Sequence, residues 1–474
     1  MSDSTINDLT SPHDEAPCDG AALVVTWCPD DPGRVGEVVL LPDAQANLTT
    51  TLGRGEVDEL MLRCTFVRQR PGRNERQPPL TNRRISRSQL TLRAEGDREL
   101  RVENVGRCSM SHNDIESRSA LLHPGDTVTL RNALQLLCVV RPAVMPTYDR
   151  LPREGWPDFG GPDAHGAVGE SPAAWALRNR VVFVANRSPH ALITGASGSG
   201  KELVARAIHT LSDRASRPMI SRNAATIPEG LIDAELFGNV RDYPNPGMRD
   251  RRGLFGEANR STLFLDEIAE VPQAIQAHLL RALDEGEIHR LGESRPQRVD
   301  VRVLGATNRH PSALKHDLLA RFKLRIDVPD LNARREDVPL LVRHLLQNLA
   351  KEDPEVRERF FGGSEPRLTA RLMGRLVRRQ FRTHVRELEV ILWQSIASSP
   401  SNSLDWTPAM NEGVAGGAEE PQIAPTVRVE DLLPADIQTA LDANNGSVKE
   451  TWQALGLKNR FQLIRLIKKY ALKK

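Results

Sequence analysis

Cysteine is scarce, long apolar runs are absent, and neither sign of charge dominates. The five cysteines (Cys18, Cys28, Cys64, Cys108 and Cys138) form no CxxC pair, so no zinc or dithiol motif is written here. Their spacing fits the reduced thiols of a cytoplasm, the expected location. No run of about 20 apolar residues could cross a bilayer, and no membrane is expected as a partner. The N-terminus, MSDSTINDLTSPHDEAPCDG, is acidic and polar. It lacks an apolar core, which argues against a secretory signal. A formal net charge of +2 says little, but its distribution says more. Eight Lys/Arg stand against one Glu between Gly446 and Lys474. A basic end of this kind points to nucleic acid; a solvated basic tail has the same composition.

At 474 residues the chain is long enough for about three domains. Two stretches rich in Pro and Gly, 142–167 and 399–428, lack either hydrophobic period and read as linkers. Three blocks remain. The first, 20–141, carries short β-rich runs such as ALVVTW, VGEVVLL, QLTL, TVTL and LQLLCVV between turn signals, which predicts an all-β sandwich. The second, 168–398, alternates apolar runs (ALIT, TLFLDE, VRVLGAT) with helical stretches, as an α/β domain with a parallel sheet does, and turns wholly helical from about residue 336. The third, 429–474, reads as a few short helices.

The chemistry sits in the middle block. After PHALIT comes Gly195-Ala196-Ser197-Gly198-Ser199-Gly200-Lys201-Glu202, followed by the helical LVARAIHTL. Glycines let backbone N–H groups close around phosphate oxygens, the helix N-terminus adds its positive end, and Lys201 can reach the β- and γ-phosphates. A second acidic strand, Thr262–Glu267, supplies Asp266 to hold Mg²⁺ through water and Glu267 to polarise an attacking water. ATP and Mg²⁺ are the expected ligands.

The strings GASGSGKELVARAIH, NAATIPEGLIDAELFG, STLFLDEIAEVP, VDVRVLGATNR and VRELEV resemble the AAA+ domain of sigma-54-dependent transcriptional activators. In that family Glu202 stands where other P-loops carry Ser or Thr. The resemblance implies that Asn223 restrains the catalytic glutamate, that Asn308 is a first sensor and that Arg386 is a second sensor on a helical lid. It places Lys315 and Arg321 as the residues reaching a neighbour's γ-phosphate in a hexameric ring. Lys315 stands where the family has arginine and offers a point charge without a planar fork. The lesser alternative for Arg321 is a helix-surface arginine.

The family's working hairpin bears the motif GAFTGA and pushes sigma-54. Here ELFG, ending at Gly238, and Arg252-Gly253-Leu254-Phe255 flank a segment of the family's length, but the motif becomes Asp242-Tyr243-Pro244-Asn245-Pro246-Gly247. Two prolines fix φ, and Asn-Pro-Gly-Met suits a type II turn, so the tip is expected to be stiff.

The two ends carry further resemblances. NNGSVKETWQALGLKNRFQLIRLIKKYAL resembles a Fis-type helix-turn-helix, with Asn459, Arg460 and Gln462 placed to read DNA bases and Arg465, Lys468 and Lys469 to meet the backbone. The first block resembles a forkhead-associated (FHA) domain, which implies phosphothreonine recognition by Arg54, Ser86 and Arg87. Gln89 replaces that family's structural histidine, and Ser109-Met110 replaces its Asn-Gly. Together these imply an ATP-driven, DNA-bound regulator that remodels sigma-54 RNA polymerase. The alternative is a nucleotide-switched DNA-binding regulator that does not. A small-metabolite enzyme would need a substrate pocket for which no residues present themselves.

Overall fold

The computed structural model describes residues 19–41, 48–55, 62–96, 98–151, 153–243 and 245–408, and seven single positions beyond them. The chain divides into two units, Met1–Thr407 and Pro408–Lys474. In the second, the described positions Met410, Ile437, Gln438, Leu441, Thr451, Ile467 and Tyr470 are all helical. Asn459, Arg460, Gln462, Arg465, Lys468 and Lys469 lie outside the described residues.

The first unit begins with an antiparallel sandwich. One sheet runs in the order Arg73–Arg76, Phe66–Arg70, Val38–Leu40, Asp19–Trp27, Leu134–Pro142, Thr127–Leu130, Met110–His112 and Ile115–Glu116; the other is Ser119–Leu122, Glu99–Asn104, Leu90–Glu95 and Thr50–Leu52. Alternation explains the second sheet: Leu90, Leu92, Leu100 and Val102 point into the core while Thr91 and Arg101 do not. The first and last strands of the sandwich pair antiparallel, from Asp19↔Pro142 to Val25↔Leu136. Both are buried nearly end to end rather than alternately, because a helix described below covers their outer face.

Next come α1 (Pro172–Ala185), α2 (Lys201–Thr210), α3 (Ile232–Phe237), α4 (Gly253–Glu257), α5 (Gln273–Glu285) and α6 (His316–Arg321) around a five-stranded parallel sheet. Its order is Ile220–Asn223, Ser261–Asp266, Val301–Thr307, Ala191–Thr194, Leu324–Asp327. Apolar runs buried on both faces build two cores: Leu263, Leu265 and Val303 meet α3 to α6, whereas Phe264, Leu304 and Ala306 meet α1 and α2. Four helices follow, α7 (Val338–Glu352), α8 (Pro354–Phe360), α9 (Ala370–Arg378) and α10 (His384–Ser398). They form the lid. The outer face of the sandwich rests on α9.

The stretch expected to be a linker at 142–167 is a packed strap. Its composition is that of a tether, but its backbone carbonyls are held by the sandwich. Gln69 Nε2 donates to Pro142 O (2.8 Å), Gly72 N to Met145 O (2.9 Å), and Arg70 Nη2 to Pro157 O (2.9 Å). Trp156 lies 4.9 Å from Trp175 of α1, centroid to centroid. Glu170, 2% exposed, closes the strap. It accepts from Arg70 (2.7 and 3.3 Å), Gly160 N (2.9 Å) and Trp175 Nε1 (3.0 Å). Beside it Asp337, at the foot of the lid, accepts from Glu170 N, Ser171 N and Ser171 Oγ.

Candidate nucleotide site

The strand Ala191–Thr194 is central in the sheet and ends in a loop that only glycine can follow. Gly195, Gly198 and Gly200 have φ of 151°, 76° and 103°, a region that L side chains avoid. A Cβ on Gly195 would stand 3.0 Å from Val328 O, and one on Gly198 would stand 2.2 Å from Thr383 O, so the lid comes down directly on the loop. Gly200 caps α2 in the left-handed conformation without a side-chain acceptor. That leaves the first N–H groups of the helix turned towards an anion.

A cleft of about 490 Å³ opens over this loop. Ser197, Gly198, Ser199, Gly200, Lys201, Glu202, Asp266, Glu267 and Arg386 line it, with Ala167, Val168, Leu341 and Leu345 at its apolar end. Ser199 Oγ is buried with no hydrogen-bond partner, a donor suited to a phosphate oxygen. Lys201 Nζ donates to Gly195 O (2.9 Å) and Ala196 O (3.1 Å). Burial pushes its ammonium below the usual lysine range; Glu267 and Asp266 oppose that shift, and Arg386 adds to it. From the lid, Arg386 Nη1 donates to Ser197 Oγ at 3.1 Å, and Val385 N to Gly198 O at 3.2 Å.

Asp266 ends the strand Ser261–Asp266, and Glu267 follows with φ 50° and ψ 45°, unusual for a residue with a side chain. That kink frees the carboxylate from the sheet. Asp266 Oδ1 accepts from Glu267 N (3.0 Å), and Glu267 Oε2 accepts from Asn308 N (3.3 Å). Asn223 departs from expectation: its Nδ2 lies 3.4 Å from Asp266 Oδ2 rather than on Glu267, because its strand pairs in register with the one ending at Asp266. Glu202 faces an exposed partner, Arg206, at 2.6 Å one turn along α2.

Lys315 and Arg321 are not among the residues lining the cleft. Lys315 is exposed and caps α6, its N–H donating to Gln276 Oε1. Arg321 pairs with Asp284 of α5 at 2.7 Å. The sequence reading missed the lid backbone at Thr383–Val385 and the apolar end of the cleft. A signal for the first lay in Gly198, where a Cβ would meet the lid backbone at Thr383.

The loop 238–251 folds on itself. Asn239 Nδ2 donates to Val240 O (2.9 Å), Tyr243 O (3.3 Å) and Arg249 O (2.9 Å). Met248 N donates to Asn245 O (3.2 Å) around Gly247 at φ 90°, as a type II turn requires. Asp242 Oδ1 accepts from Gly247 N at 2.8 Å, and the Tyr243 side chain is exposed.

The sandwich loops bring Arg54 and Ser86 together through Arg54 N to Ser86 O (3.0 Å). Arg87 is exposed. Buried Gln89 does a scaffold's work, accepting from Ser86 N (2.9 Å) and donating to Asn104 Oδ1 (2.6 Å) and Cys108 O (2.9 Å).

A parallel sheet, a glycine-lined phosphate loop, an acidic strand end and a helical lid define the molecule as a P-loop nucleoside triphosphatase of the AAA+ class. Residues 167–328 match the family model of the Sigma-54 interaction domain. The Nif-specific regulatory protein of Bradyrhizobium diazoefficiens is 39% identical over 248 residues, covering 51% of this chain but only 41% of its own length. The transcriptional regulatory protein ZraR of Escherichia coli is 34% identical over 311 residues, covering 64% of this chain and 68% of its own. Among solved structures, NtrX from Brucella abortus in complex with ATP aligns at 26% identity with a TM-score of 0.46, over 68% of this chain and 71% of that one. The chain belongs to the family of sigma-54-dependent transcriptional activators.

Proposed function

We propose that the protein hydrolyses ATP and uses the resulting motion to remodel sigma-54 RNA polymerase while its C-terminal segment holds DNA. The convergence of Lys201, Ser199, Asp266, Glu267 and Arg386 on one cleft carries the reading. Loop N–H groups and Ser199 hold the phosphates, Lys201 and Arg386 offset their charge, and Glu267, oriented by Asn308 N–H, takes the proton of the attacking water. Mg²⁺, when bound, neutralises phosphate charge, and Asp266 is the residue placed to hold it through water. Lys315 and Arg321, outside their own cleft, serve the neighbouring subunit of a ring, which is hexameric. The sandwich reads a phosphothreonine protein through Arg54, Ser86 and Arg87; a guanidinium and a hydroxyl on adjoining loops suit a dianion.

A second reading is favoured by one observation. The loop that should carry GAFTGA is tied down by Asn239 and turned by Asn245–Met248. A tip held this way would leave a nucleotide-switched DNA regulator that does not push sigma-54. Two measurements decide. Magnesium-dependent phosphate release is expected from the native chain, falling about a hundredfold or more in Lys201→Ala; no release at any concentration allowing self-association sinks the motor. Open-complex formation on a sigma-54 promoter is then compared with a variant carrying GAFTGA at 242–247. Activity in the native chain supports remodelling, and activity in the restored chain alone supports the second reading.

A further inference from the structure

The sandwich grips the lid at both ends of α9. Near its start, Trp27 Nε1 donates to Leu368 O (2.7 Å) and Gln135 Nε2 to Ala370 O (2.9 Å). In between, a Cβ on Gly374 would stand 2.8 Å from Gln135 Nε2, so the two surfaces are in close packing. At its end, Arg378 enters the turn at Asn113 and Asp114. Its Nη1 donates to Thr127 Oγ1 (2.7 Å) and approaches Asn113 Oδ1 (3.4 Å), while Nη2 donates to the Asp114 carboxylate. Asn113 and Asp114 have φ of 49° and 71°. That turn is itself locked, by Asn113 Nδ2 to Asp126 Oδ1 (2.6 Å) and Thr127 N to Asn113 Oδ1 (2.9 Å).

Only residues 379–383 join α9 to α10, and they are held rigidly. Arg379 Nε donates to Glu387 Oε1 (2.7 Å), and Glu387 Oε2 accepts from Arg382 N (2.7 Å) and Thr383 N (3.2 Å). Burial alone would raise the Glu387 pKa, but these donors hold it below the usual glutamate range. Phe381 N donates to Asn332 Oδ1 at 2.8 Å. The last turn of α9 and the first turn of α10 are therefore one body. That first turn carries Val385, bonded to Gly198 O, and Arg386, bonded to Ser197 Oγ.

We infer that Arg378 is a positioning residue for the nucleotide cleft: by fixing α9 to the sandwich turn at Asp114, it fixes Arg386 over the phosphate loop. This rests on reading the cleft as an ATP site and adds the route by which the sandwich governs it. A partner that shifts the Asn113–Asp114 turn lifts the lid without touching the cleft. A cation on the lid and an anion on the sandwich suit such a switch, since a pair still partly open to water, 20% and 34% exposed, holds a position yet yields to modest competition.

The test uses the full chain without nucleotide, by hydrogen exchange of the segment 383–386, whose Val385 amide spans the gap to the loop. Arg378→Ala is expected to raise exchange there about tenfold and Asp114→Ala about threefold, with the sandwich strand amides unchanged. Arg378→Lys, which keeps a cation facing Asp114, retains protection to within about twofold, and decides the matter where Arg378→Ala loosens the sandwich as well. Affinity for a non-hydrolysable ATP analogue falls by a similar factor in Asp114→Ala, and that substitution adds nothing in an Arg386→Ala background. Unchanged exchange at 383–386 in Arg378→Ala, or exchange in Arg378→Lys as fast as in Arg378→Ala, overturns the inference. Exchange that responds as expected in a chain that binds no nucleotide overturns the ATP reading and leaves the clamp standing.

Discussion

Replacing one oxygen of Glu170 by an amide nitrogen, in Glu170→Gln, should cost far more than its size suggests. Both oxygens of Glu170 accept only from donors: Arg70 Nη2 and Gly160 N on one, Arg70 Nε and Trp175 Nε1 on the other. Whichever way the glutamine amide turns, its NH₂ meets two donors. The Arg70 charge is then left without its partner where the two side chains are 9% and 3% exposed. Breaking a buried pair from one side costs about 3–5 kcal/mol, against a typical total stability of about 5–15 kcal/mol. The assay is urea unfolding followed by tryptophan fluorescence, since Trp156 and Trp175 sit at the lesion. A midpoint lowered by about 1 M or more is expected, with faster proteolytic cleavage within 143–165. The double variant Arg70→Met with Glu170→Leu removes both charges and should recover all but about 1–2 kcal/mol. A loss below about 1 kcal/mol in Glu170→Gln, or a double variant as damaged as the two single changes added together, would refute the pinned strap.

Two further outcomes follow from other parts of the molecule. Gly198→Ala places a methyl 2.2 Å from Thr383 O at a φ of 76°, so the lid must lift; affinity for an ATP analogue should drop at least about tenfold, and unchanged affinity would count against a closed lid. Burial pushes the thiols of Cys28 and Cys64 up to about 11 and that of Cys138 up to about 12, from an ordinary value of 9.0. As pH rises past about 9, the unfolded chain loses these protons first, so stability falls between pH 9 and about 12, with a slope of up to about 1.4 kcal/mol per pH unit for each thiol. Urea midpoints in Cys138→Ala should decline less steeply with pH over that window; an equal decline would show that other groups set it.

The legible parts were those whose chemistry lies close together along the chain. Gly195 to Gly200 is one loop opening α2, and Asp266 with Glu267 closes one strand, so local motif and flanking elements together indicated residues that do share a cleft. Apolar runs such as LQLLCVV gave the strands but not the reason for their lack of alternation, which lies in a helix more than 200 residues away that covers them. Arg386 was visible only by resemblance, because its contact with Ser197 spans 189 positions. The strap at 142–167 misled for a physical reason: proline and glycine set backbone options, whereas order here comes from Trp156, Met145 and a carboxylate, Glu170, on which donors from three segments meet. Asn223, expected by resemblance to restrain Glu267, stands instead beside Asp266, a distinction of register that no spacing encodes.

Arg321 does not wait empty-handed. Its guanidinium is parked on Asp284 of the same subunit, with the two side chains 42% and 32% open to water. A berth of this kind holds by about 0.2–1 kcal/mol, a mild bias in the side chain's favour and little beside the pull of the triphosphate that a neighbour would present in the proposed ring. In the proposed ring, assembly would have only this weak pair to break. Were the arginine to leave for a neighbour in that ring, Asp284 would become a fresh negative charge at the seam, and each joint would carry its own electrostatic record of whether the adjoining cleft is filled.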